Sequence, residues 1–279
     1  AGLIYEILWF RHFGLLFGNV VHATALVLVA FFAGLALGNH WIGRCADRVT
    51  SPLRLYGVLE LGVAITALPI PVLLEVLESL PVSRVTPGGL TMTATLAVLA
   101  VLPAATFMGG TLPVLGRAVV RMSKHDVAES GGRLYAINTF GAACGALATG
   151  CFLPFYIGVW DTYIFAVGIN FLVAVVALLY AKQEYIATDE VHVVLNDPKP
   201  IEVPIQGGGG SVPLILSLAL LSGLFTLCLQ VMWTRMFALV FHNSVFSFAI
   251  IVVTFLVGLA VGAFIVARLI SEVQWVYKH

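Results

Sequence analysis

Eight apolar runs, each long enough to cross a lipid bilayer as a helix, constrain this chain more than any other feature. A spanning helix needs about 20 mostly apolar residues. The runs cover residues 1–17, 20–43, 54–79, 90–120, 133–154, 157–181, 212–240 and 245–270. Soluble domains carry about 25% charged residues; here 10% are charged and 60% hydrophobic, too little polarity to cover a water-exposed surface. A buried backbone with no water to bond must close its own hydrogen bonds, and runs of this length do so as helices rather than barrel strands. The fold class expected is an all-α polytopic membrane bundle of about eight transmembrane helices. Fourteen basic and 14 acidic residues cancel, and no basic cluster offers a nucleic acid a footprint. Cys45, Cys144, Cys151 and Cys228 form no C-x-x-C pair, so neither a zinc site nor a disulfide framework is expected. No cofactor and no metal are expected.

Most links between the runs are short. The exception, 182–211, contains Pro198, Pro200, Pro204 and the run Gly207–Gly210 and reads as a flexible linker. It divides a first six-helix membrane half, 1–181, from 212–279, the first two helices of an incomplete second half. The chain opens at Ala1 inside an apolar run with no charged cap, so the first helix is expected to be truncated.

Lys and Arg set orientation, because basic residues accumulate in cytoplasmic loops. Arg44, Arg48, Arg54, Arg117, Arg121, Lys124, Arg133, Lys182, Lys199, Arg268 and Lys278 fall on one side; Arg11, Arg84 and Arg235 fall on the other. The even-numbered links and both ends are therefore expected in the cytoplasm, with the chain multi-pass in the inner (plasma) membrane.

Segments 1–44 and 225–268 are copies of one unit. A shift of 224 residues aligns them without a gap, and 15 of the 41 positions from Ile4 to Arg44 are identical. Trp9 matches Trp233, Arg11 matches Arg235, Phe31 matches Phe255, and Gly34 and Gly38 match Gly258 and Gly262. Corresponding spans of the two copies are six apart in order, an even number, so both copies enter the membrane in the same direction. Such a parallel repeat, about an axis along the membrane normal, is the relation between the two halves of the major facilitator fold.

Several polar residues lie inside the apolar spans. An ionisable group there costs about 2.5–3.5 kcal/mol on insertion scales and faces the protein interior or a cavity. Glu6 is one and a half turns from Arg11, so the two point to different faces. Its repeat mate is Gln230. Glu6, Trp9, Arg11, Gln230, Trp233 and Arg235 are the substrate-binding candidates, with a structural polar clamp between the first and seventh spans as the alternative. The tryptophans read either as an interfacial aromatic belt or as a box for a cationic ligand. Glu60 is either a proton-coupling carboxyl or a buried, hydrogen-bonded one; Asn170 reads as an interhelical hydrogen-bonding group. The small-x-x-x-small pairs Gly34/Gly38, Gly258/Gly262 and Gly141/Gly145 are expected to pack closely on neighbouring helices, and Pro69, Pro71, Pro103 and Pro113 to bend their helices.

The link Gly43-Arg44-Cys45-Ala46-Asp47-Arg48, followed by Arg54, resembles the loop motif of major facilitator transporters. That resemblance implies a conformational role for Gly43, Asp47, Arg48 and Arg54. A wider resemblance rests on Tyr5-Glu6-Ile7-Leu8-Trp9-Phe10-Arg11, Gly34-Leu35-Ala36-Leu37-Gly38, Met108-Gly109-Gly110-Thr111-Leu112-Pro113 and Gly132-Arg133-Leu134-Tyr135-Ala136-Ile137-Asn138 through Ala142. In this order they are similar to the transmembrane region of fused major-facilitator-like/spermidine-synthase-like bacterial membrane proteins. Members of that family often carry an aminopropyltransferase-like domain. No strand, glycine-rich loop and helix of that kind occurs here, so any such activity would lie outside these residues. The expected function is a membrane anchor or accessory subunit of a larger assembly or polypeptide. A transporter-like module for a small polar or cationic solute such as a polyamine is the alternative. The expected partners are the lipid bilayer and further chains or helices against the seventh and eighth spans, with no nucleic acid.

Overall fold

The computed structural model describes residues 1–46, 48–80, 86–122, 127–189, 212–241 and 244–278. Among them all regular structure is helical: α1 Gly2–Phe17, α2 Val20–Ala46, α3 Pro52–Ala67, α4 Ile70–Ser79, α5 Pro87–Met122, α6 Val127–Cys151, α7 Leu153–Tyr156, α8 Val159–Asp189, α9 Val212–Phe241 and α10 Ser244–Lys278. Seven stretches are long and apolar enough to span a membrane, counting α3 and α4 as one bent crossing. The eight spans expected become seven by this measure. α1 has 16 residues, which at 1.5 Å each gives about 24 Å against a hydrocarbon core of about 30 Å. From residue 190 to 211 the expected linker lies outside the described residues, and α8 runs on to Asp189.

Local sequence sets the helix ends. Gly18 closes α1 in the left-handed region (φ 62°), donating its N–H to the Gly14 carbonyl, a conformation in which a side chain is strained. Asn19 then starts α2, its Oδ1 accepting from the Val21 N–H at 2.8 Å. Ser51 and Pro52 start α3 as a cap and first-turn pair, matching the preference for a hydroxyl followed by proline. The expected bend at Pro69 and Pro71 is present as the break between α3 and α4. Pro103 and Pro113, in contrast, lie inside an unbroken α5.

α1 is the central helix. Ile4, Tyr5, Ile7, Leu8, Trp9, Phe10 and Phe13 are all buried, and α1 packs on α2, α4, α6, α8 and α10. A helix apolar on every side is stable only when enclosed, and the nearly uniform apolarity of α1 is met by that enclosure. Phe10 stacks on Phe248 of α10 with ring centroids 4.4 Å apart.

α2 and α5 cross with their backbones in contact. A methyl group built on Gly34 would collide with Ala105, one on Gly38 with the Thr106 carbonyl, and one on Gly109 with the backbone of Leu35. Glycine on both partners lets the backbones touch, which is how membrane helices gain dispersion contact where no hydrophobic driving force exists between them. The corresponding expectation for Gly258 and Gly262 fails: a methyl group on either meets nothing within 4 Å. The expectation for α6 moves along its helix. Gly141 has open space, a methyl group built on Gly145 would make ordinary contact with Ile4 at 3.5 Å, and one on Gly150 would collide with Ala249 of α10.

Candidate functional site

Two polar constellations lie inside the bundle. The first joins three elements at the break in the third span. Helical bonding would pair the Ala67 carbonyl with the N–H of residue 71, but Pro71 has none. The Tyr163 hydroxyl from α8 donates to that carbonyl at 2.7 Å and accepts from Trp9 Nε1 of α1 at 3.1 Å. Tyr5 stacks on Trp9 at 5.5 Å and meets Tyr163 edge-on at 5.3 Å. Trp9 is completely buried, so it does not belong to a lipid-facing belt. Its repeat mate Trp233 is 44% exposed. The two tryptophans occupy different environments.

The second constellation is a cavity of about 780 Å³ bounded by α1, α2, α3, α5, α6 and α8. Its polar lining comprises Asn39, Tyr56, Glu60, Thr111, Asn138 and Asn170. Asn170 Nδ2 donates to Glu60 Oε2 at 2.5 Å, and Tyr56, one turn before Glu60, sits beside the same carboxyl. Both Glu60 and Asn170 are buried. Of the two readings of Glu60, the hydrogen-bonded one has its partner here. Asn170 Oδ1 and the Tyr5 hydroxyl are buried with no hydrogen-bond partner among the described residues.

No family model, curated protein or solved structure matches this chain. What can be said of its site therefore rests on its own geometry.

The other candidates are dispersed. Glu6 is buried in α1 and Gln230 in α9, whereas Arg11 and Arg235 are exposed; the separation of Glu6 from Arg11 follows the helical geometry. No hydrogen bond joins the Glu6 carboxyl to another described residue. Gly43 and Arg44, expected in the link, lie in the last turns of α2, and a methyl group built on Gly43 would be 3.8 Å from Pro113. Arg48 and Arg54 are exposed; the Arg48 N–H donates to the Cys45 carbonyl at 3.0 Å and the Arg54 N–H to Ser51 Oγ at 3.4 Å. Asp47 lies outside the described residues. Arg44 hydrogen-bonds His40 one turn earlier.

Sequence reasoning missed Tyr163, Tyr56 and Asn39. For Tyr163 a signal existed: Pro71 must strand a carbonyl at mid-span, and a stranded carbonyl in hydrocarbon requires a donor from a neighbouring helix.

Proposed function

We propose that this chain is the membrane module of a larger assembly or polypeptide, serving as its anchor or accessory part. In this reading it is similar to the transmembrane region of spermidine-synthase-like fusion proteins. It sits in the inner (plasma) membrane with the even-numbered links and both ends of the given sequence in the cytoplasm. The observation that carries the reading is the unequal surroundings of the two repeat copies. The first hairpin, α1 and α2, is enclosed by α4, α5, α6 and α8. The second, α9 and α10, leans on the first: α2 packs on α9 and α1 packs on α10. That exchange of partners is what a two-fold relation between hairpins requires. Beyond it, α10 meets only α6 among the larger contacts of the described residues. A unit that needs helices around it in one copy has use for them in the other. The test is the native mass of the protein isolated from its own cells in mild detergent. A mass well above 29.8 kDa supports the module reading, and a homogeneous species at that mass contradicts it.

A second reading is favoured by the Glu60–Asn170 cavity: a transporter-like module moving a small polar or cationic solute, with Glu60 the carboxyl that meets it. Solute flux into proteoliposomes that falls at least 10-fold in Glu60→Gln supports this reading. Absence of flux for polyamines, nucleosides and amino acids contradicts it.

A further inference from the structure

We propose that the cavity around Glu60 and Asn170 binds a small organic monocation, one primary ammonium carried on an apolar body. This rests on the solute reading of that cavity and deepens it by naming the class of ligand.

The charge of the lining sets the sign of the ligand. Among the described residues Glu60 is the only acidic one along the cavity, and no Lys, Arg or His side chain lines it. Arg44, Arg48 and Arg54, the basic residues near the ends of α2 and α3, are not part of the lining. A carboxylate withdrawn from water is costly unless a cation meets it. With no basic side chain at hand, the Glu60 carboxyl either holds a proton or takes a cation from outside. A ligand carrying a carboxylate or phosphate would find no counter-charge in this lining.

Hydrogen bonding sets the head group. Glu60 and Asn170 are 8% and 5% exposed, and Asn170 Nδ2 is committed to Glu60 Oε2. Oδ1 of the same amide is an acceptor with no partner among the described residues. Leaving such an atom unpaired costs about 1–3 kcal/mol. A carboxylate offers about four acceptor positions, and Asn170 and Tyr56 take two of them at most. Free acceptors from α3 and α8 therefore line one cavity. A primary ammonium has three N–H groups to give and serves both residues; a quaternary ammonium has none and leaves Asn170 Oδ1 stranded. The rest of the lining sets the body. Phe31, Phe32, Val63, Met108, Ile169 and Val173 line the same cavity, whose volume is about 780 Å³, within the range of small-molecule sites. A second ammonium on the ligand would find no second carboxyl there and would lose its water against apolar side chains. That separates an apolar monoamine from a polyamine.

The test is equilibrium binding of tritiated phenethylamine to the native protein purified in mild detergent, with unlabelled competitors. The expected result is saturable binding at one site per chain. Unlabelled phenethylamine should displace the label about 10-fold or more better than spermidine, 3-phenylpropionate or the trimethylated phenethylammonium. Glu60→Gln removes the charge and keeps an amide for Asn170 to bond; it should weaken binding about 10-fold or more. The displacement series is read on the unaltered protein, so it decides the matter even where the variant fails to fold. Absence of saturable binding, equal displacement by any of the three competitors, or unchanged affinity in a folded Glu60→Gln protein would each overturn the assignment. Phenethylamine binding without flux of any solute leaves this site standing while the transporter reading falls. Flux of another solute through Glu60 without phenethylamine binding leaves the transporter reading standing while this assignment falls.

Discussion

Tyr163 shows how one hydroxyl can secure a helix break. It satisfies the carbonyl that Pro71 frees and the indole N–H of Trp9 at once, tying α8 to α1 and to the joint between α3 and α4. Bonds between membrane helices average about 0.6 kcal/mol and reach about 1.7. With two bonds and a carbonyl that has no helical partner, Tyr163→Phe should cost about 1–2 kcal/mol. Unfolding in mixed detergent–SDS micelles measures this directly, with Tyr156→Phe, at 75% exposure, as the neutral comparison. The Glu60–Asn170 bond has a different signature. Glu60→Leu strands the Asn170 amide, at about 1–3 kcal/mol, whereas Asn170→Leu leaves the carboxyl with Tyr56 alone and should cost less. The double variant should cost less than the sum of the two, and a double-mutant cycle giving a coupling near zero would show that the bond contributes nothing.

At the scale of elements, the decisive contrast is between α2 and α10, repeat mates in sequence with opposite surroundings. Gly34→Leu should prevent α5 from seating, at a cost on the order of 3 kcal/mol or more. Gly258→Leu should leave the unfolding of the isolated chain within about 0.5 kcal/mol of wild type. Equal destabilisation by the two substitutions, read in the same micelle titration, would mean that α10 is packed as tightly as α2. This contrast also marks where sequence was informative. Helix positions followed from run length, and the break before Pro71 followed from proline chemistry; the caps at Asn19 and Ser51 emerge only with the structure. The Glu60–Asn170 pair was half visible, since each residue stood alone in an apolar span; their meeting depends on α3 packing against α8, which no local pattern encodes. For Trp9 the sequence offers an interfacial belt or a cationic-ligand box, because depth along a helix is legible in sequence, whereas the direction a residue faces in a nearly all-apolar helix is not. The same blindness applies to glycine: Gly141 and Gly150 look alike in α6, and only the neighbouring helix separates open space from contact.

At the scale of the molecule, the chain is a multi-pass helical bundle in which one hairpin is enclosed and its copy leans against it. The parallel relation between the copies is the central claim of the architecture proposed for this chain. Single cysteines on a background with Cys45, Cys144, Cys151 and Cys228 replaced, tested with a membrane-impermeant maleimide in intact and permeabilised cells, measure it most directly. Positions 19 and 243, which correspond in the repeat, should both be labelled in intact cells. Positions 50 and 124 should be labelled only after permeabilisation. Labelling of 19 and 243 from opposite sides of the membrane would contradict the parallel repeat and the architecture built on it.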